Sequence, residues 1–108
     1  MNQTMMEELV SGLIELYENR LVSIILYGSV ARGTNTEDSD IDIAVILKGY
    51  NDSYTKDKLI DMVVDMDLKY DKVFSIIDID YNKFVKWENT LPFYRNVKEE
   101  GVVLWKVA

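Results

Sequence analysis

LYGSVARGTNTEDSDIDIAVIL, residues 26–47, places a glycine–serine pair at the end of an apolar run and, after ten intervening residues, two aspartates that alternate with isoleucines. In a β-strand, residues two apart point to the same face. Asp40 and Asp42 therefore share one face, while Ile41, Ile43, Val45 and Leu47 line the other. At a rise of about 3.3 Å per residue, the two aspartates stand roughly 6 to 7 Å apart along the backbone. A strand with one wet face would account for the alternation. So would a pair of hard oxygen donors converging on one divalent cation, or on two bridged by a nucleotide. Unpaired carboxylates are costly on a buried face, so either water or a cation must meet them.

The turn before the strand adds a second element. Gly28 lets the backbone approach a ligand closely, and the amides that follow it, with the Ser29 hydroxyl, can cradle phosphate oxygens. Arg32 lies in the same turn, and a guanidinium meets phosphate oxygens in bidentate fashion. Taken alone, each of these residues has an ordinary reading as turn, surface arginine or half-exposed strand. Their conjunction in one short loop between two strands is what those readings leave unexplained.

Outward from this loop the chain alternates helix and strand patterns. Met5, Met6, Leu9, Val10, Leu13, Ile14 and Tyr17 recur at helical spacing, which predicts an amphipathic helix over about 4–19, with Thr4 and Glu7 as a capping box. The run LVSIILYG (21–28) reads as a strand buried on both faces, and residues 29–34 as a turn or helical start. SDIDIAVIL (39–47) is the second strand, 48–53 a turn, and 56–69 a helix carrying Leu59, Ile60, Met62, Val63, Met66 and Leu68. KVFSIIDID (72–80) is the third strand. Asp80 is placed to cap a short helix ending near Trp87, and Pro92 suits the first turn of another through Lys98, stopped by Gly101. VVLW is a last short strand. The expected architecture is α/β (or α+β): a small mixed sheet flanked by helices, in one domain spanning 1–108.

Composition narrows the chemistry. The 108 residues contain no histidine and no cysteine, which excludes imidazole bases, disulfides and thiolate zinc sites. Nineteen acidic residues against 12 basic ones give a net charge of −7, which disfavours a bulk nucleic-acid surface but not a single nucleotide with its metal. No apolar run approaches a membrane span, and the acidic N-terminus lacks the basic region of a secretory signal. A cytoplasmic location without membrane attachment is the expectation. Most of the seven tyrosines read as core or interface aromatics. The LPFYRN run, with Trp87 and Trp105, reads chiefly as packing of the last helix and secondarily as a patch for a partner.

Gly28-Ser29, ten residues, then Asp40-x-Asp42, with Ala31, Arg32, Gly33 and Ser39 also fitting, resembles the motif of the polymerase-β-like nucleotidyltransferase superfamily. Within it the chain looks like the minimal nucleotidyltransferases that partner HEPN proteins in toxin–antitoxin pairs, and the ending PFYRNVKEEGVVLW is similar to that group's C-terminal segment. The resemblance implies transfer of AMP from ATP to a hydroxyl, a tyrosine of the HEPN toxin, in a hetero-oligomer. Gly28 and Ser29, with Arg32, would hold the triphosphate, and Asp40 and Asp42 would bind Mg²⁺. It also implies a third catalytic and metal-binding carboxylate on a neighbouring strand. Asp78 is the candidate chosen; Asp80 has its capping role, and if the pattern falls on Ser75 the third carboxylate is missing. Transfer to a small molecule, as in the related aminoglycoside enzymes, and non-catalytic neutralisation of a toxin are the alternatives.

Overall fold

The structure is a computed structural model and describes residues 2–49 and 51–108. Helix α1 spans Gln3–Tyr17 and buries Met5, Met6, Leu9, Leu13 and Tyr17, one apolar stripe at three- and four-residue steps. Its cap is Asn2, whose side chain accepts the Met5 N–H at 3.1 Å, so the expected Thr4 box does not form. Asn is the stronger cap and starts the helix earlier; the Gln3 side-chain amide donates to Glu7 instead, at 3.1 Å. A short 3-10 turn, Glu18–Arg20, leads into strand β1, Leu21–Tyr27. Helix α2, Gly28–Arg32, follows without a break, and strand β2 runs Ile41–Leu47.

Helix α3 spans Ser53–Tyr70, starting three residues before the apolar pattern predicts. Asp52 sets that start by accepting the Thr55 N–H at 2.7 Å. Strand β3 is Phe74–Asp80, and Asp80 caps helix α4, Tyr81–Trp87, by accepting the Lys83 N–H at 3.1 Å. Helix α5, Pro92–Glu100, carries proline in its first turn, and strand β4 is Val102–Lys106. Part of the expected 48–53 turn, Tyr50, lies outside the described residues.

The sheet has four strands in the order β3-β2-β1-β4. β1 pairs antiparallel with both β2 and β4, whereas β2 and β3 are parallel and joined through α3, as a parallel pair requires a crossover. One face packs on α1 and α3 through Leu21, Ile24, Leu26, Ile41, Ile43, Val45 and Phe74. The other carries Val22, Ile25, Ala44, Ile46 and Ile79, which pack with Val97 of α5 and with Phe84 and Tyr94 of α4 and α5. A register shift between Leu21 and Ser23 lets Val22 and Ile25 face the same layer. Gly101 closes the α5–β4 connection over the sheet: a Cβ there would run into the Val97 carbonyl oxygen and Ile25 Cγ2. Among the described residues, no helix is long and apolar enough to cross a membrane.

Candidate active site at the β1–β2 end of the sheet

Strand β2 begins at Ile41, so Asp40 is exposed just outside it. Asp42 is the one residue of β2 that is not fully buried. It pairs with Tyr27 across the antiparallel β1–β2 register, which sets Gly28 directly against it. Gly28 has φ +76°, a left-handed conformation that side chains disfavour. A Cβ at this position would overlap the Asp42 Oδ2 and stand 3.2 Å from its Cγ. The glycine is therefore required twice, by the turn and by the carboxylate lying against its backbone.

Burial pushes the Asp42 carboxyl above the usual aspartate range, the negative charge of Asp40 pushes it further, and Arg32 pulls it partly back. Two carboxylates that repel one another beside a partly exposed backbone turn form a pair of hard oxygen donors suited to a divalent cation. Among the described residues, no cluster of three or more acidic side chains could hold a metal. Asp40 and Asp42 are two carboxylates at this end of the sheet that could hold a divalent cation such as Mg²⁺, their mutual repulsion being only partly offset by Arg32.

Ser29 is the second residue of α2, half-buried, and its carbonyl accepts the Thr34 N–H at 3.0 Å. Its hydroxyl and the first amides of α2 sit at a helix start, where N–H groups have no intrahelical acceptor. Gly33 ends the helix in a left-handed turn. Arg32, expected to meet phosphate, forms an ion pair with Glu100 at the end of α5, 3.4 Å apart, with both side chains about half exposed. Its charge nonetheless reaches Asp42.

Asp78 is not brought to this site. In the parallel register Asp42 pairs with Ser75, whereas Asp78 pairs with Val45. Asp78 therefore faces the α1–α3 layer, behind the sheet. Its charge helps burial raise the Tyr17 hydroxyl there, with burial the larger cause. Asp80 is likewise committed to its cap. The β3 position beside Asp42 on the aspartate face is Ser75, the arrangement in which the third carboxylate is missing.

Two neighbours of the site escape a reading of local pattern. Tyr27 stands beside Asp42, and burial with the Asp42 charge raises its hydroxyl above the ordinary tyrosine value. Phe93, at the start of α5, sets its ring edge-on to Tyr27 with centroids 5.7 Å apart. Tyr27 was legible only through its place immediately before Gly28; Phe93 is far away in sequence and arrives through packing of α5.

Residues 6–104 match a family model described as the nucleotidyltransferase domain. The chain is 39% identical over 102 residues to a protein of Methanocaldococcus jannaschii that bears the provisional name of protein adenylyltransferase, covering 92% of this chain and 93% of that one. A second protein of the same organism and provisional name is 32% identical over 80 residues, 74% of this chain and 79% of the other. Among solved structures, an MntA–HpeT toxin–antitoxin crystal structure matches with a TM-score of 0.65 at 19% identity, over 99% of this chain and 75% of that one. The complex of a tri-AMPylated Shewanella oneidensis HEPN toxin with an MNT antitoxin matches at 0.62, also with 19% identity, over 99% and 74%. At such identities the solved structures show a shared fold.

Proposed function

The chain belongs to the nucleotidyltransferase-domain family, and from that premise we propose that it moves AMP from ATP onto a tyrosine hydroxyl of a HEPN-type toxin and so acts as its antitoxin. The observation that carries this reading is the contact between the Gly28 backbone and the Asp42 carboxylate. It brings a phosphate-cradling turn and a cation-binding pair to one point. The names of the M. jannaschii relatives and the toxin–antitoxin complexes that share the fold support the donor and the partner.

In this scheme Gly28 and Ser29 hold the β- and γ-phosphates at the start of α2. Asp40 and Asp42 would hold Mg²⁺, which would neutralise charge developing on the transferred nucleotidyl group. The tyrosine oxygen forms a bond to the α-phosphorus, the α–β phosphoanhydride bond breaks, and pyrophosphate leaves. Ser75 offers no base beside Asp42, so the hydroxyl proton passes to a group of the partner or to water. Arg32 is held by Glu100 and turns to the triphosphate only by giving up that exposed ion pair, a small cost in water.

Incubating the protein with a HEPN partner, Mg²⁺ and ATP labelled in its α-phosphate tests the scheme. Label should appear on the partner with the wild-type protein and be lost with Asp40→Asn; equal labelling by both removes Asp40 from the mechanism. A second reading, neutralisation by binding alone, is favoured by the serine at position 75. It predicts that an Asp40→Asn, Asp42→Asn double variant still silences the toxin.

A further inference from the structure

Four aromatic rings run in a chain along the face of the sheet that carries Asp42. Phe84 meets Tyr94 with centroids 6.2 Å apart, Tyr94 meets Phe93 at 5.9 Å, and Phe93 meets Tyr27 at 5.7 Å. Phe84, Tyr94 and Tyr27 are half-buried, but Phe93 is 45% exposed. Its position is set from both directions: Pro92 fixes the backbone at the start of α5, and edge-to-face packing against Tyr27 and Tyr94 orients the ring. A fixed phenyl ring in water, two contacts from Asp42, is a surface with an unused aromatic face.

The strand order decides which substrate meets that surface. Ser75 lies on β3, on one side of Asp42, and Tyr27 lies on β1, on the other. The Gly28–Ser29 turn grows out of β1, so on the nucleotide-transfer reading the nucleotide would lie on the β1 side and the acceptor would approach from the β3 edge. Phe93 packs on Tyr27 of β1, on that same side.

We propose that Phe93, backed by Tyr27, is the platform on which the base of the bound nucleotide stacks. The inference rests on the nucleotide-transfer reading for the location of the phosphates. Every base has a π-face, so such a platform contributes affinity without selecting strongly among bases. Discrimination of ATP from GTP must then come from elsewhere in the complex.

Calorimetric binding to the full chain in Mg²⁺ tests the platform independently of transfer, using AMP-PNP, GTP and inorganic tripolyphosphate as probes. Phe93→Ala should weaken AMP-PNP and GTP alike, by about fivefold or more, the lower end for losing one base–aromatic stack. Tripolyphosphate, which has no base, should bind as before, and Phe93→Trp should restore both nucleotides. Unchanged AMP-PNP affinity in Phe93→Ala overturns the platform. So does an equal loss for tripolyphosphate, which would mark a structural effect, and so does a wild-type chain that binds no AMP-PNP. If the wild-type chain binds AMP-PNP and Phe93→Ala weakens it, but no partner is labelled, the platform stands and the transfer reading fails.

Discussion

Asp42 and Ser75 are partners across the parallel β2–β3 register, and Asp78 pairs three steps further along with Val45. An odd number of steps along a strand reverses the face, so the carboxylate nearest the site in sequence pattern lies behind the sheet. Asp78→Asn should therefore leave Mg²⁺-dependent nucleotide binding within about twofold of wild type. Asp42→Asn should weaken it by about a hundredfold or more, since even an outer-shell partner of a metal is worth 10 to 100-fold. Calorimetric titration of both variants checks the pair.

A third carboxylate can be supplied at the position the register identifies. Ser75→Asp puts an additional anionic oxygen donor beside Asp42 and should tighten Mg²⁺ binding. In the absence of the ion it should lower thermal stability, because the new charge adds to the repulsion that already raises Asp42. Thermal unfolding with and without Mg²⁺ reads both effects.

The raised carboxyl of Asp42 makes stability depend on pH in a direction opposite to most aspartates. Its folded-state pKa lies above its unfolded value, so between the two the native chain holds more protons and stability falls as pH rises through that window. Asp42→Asn should unfold at a higher temperature than wild type at pH 7, with the advantage fading as pH falls through that window and gone below about 4, the unperturbed aspartate value. Added Mg²⁺ should narrow the difference at pH 7 by stabilising the wild-type chain alone.

Gly28→Ala should damage stability and binding together. A side chain in the left-handed region costs about 1 to 2 kcal/mol, and here the new Cβ also displaces the Asp42 carboxylate. At about 4 to 8 °C per kcal/mol for a domain near this size, the melting temperature should drop by roughly 5 °C or more, with Mg²⁺ no longer restoring it.

How much of this was legible in the sequence follows from which features are local. Period-two alternation is local, so Asp40 and Asp42 could be paired, and the Gly28 turn recognised, before any fold was known. Helix starts are nearly local: Asp80 reads as a cap and is one, whereas the Thr4–Glu7 spacing mimics a capping box two residues after the Asn2 cap that actually starts α1. The residue of β3 that faces Asp42 is not local. It depends on the length of α3 and its loops, which set where β3 slides against β2, and one step of register exchanges Ser75 for the opposite face. Contacts such as Arg32 with Glu100 and Tyr27 with Phe93 join residues more than 60 apart and follow only from the packing of α5.

The most direct measurement of the central claim is the intact mass of a HEPN partner after incubation with this protein, ATP and Mg²⁺, together with that of the same partner incubated with the Asp40→Asn, Asp42→Asn double variant. The account predicts that the wild-type chain adds one or more AMP units to a tyrosine of the partner and that the double variant adds none while still folding. A partner that is silenced with its mass unchanged, or modified equally by both proteins, would contradict it.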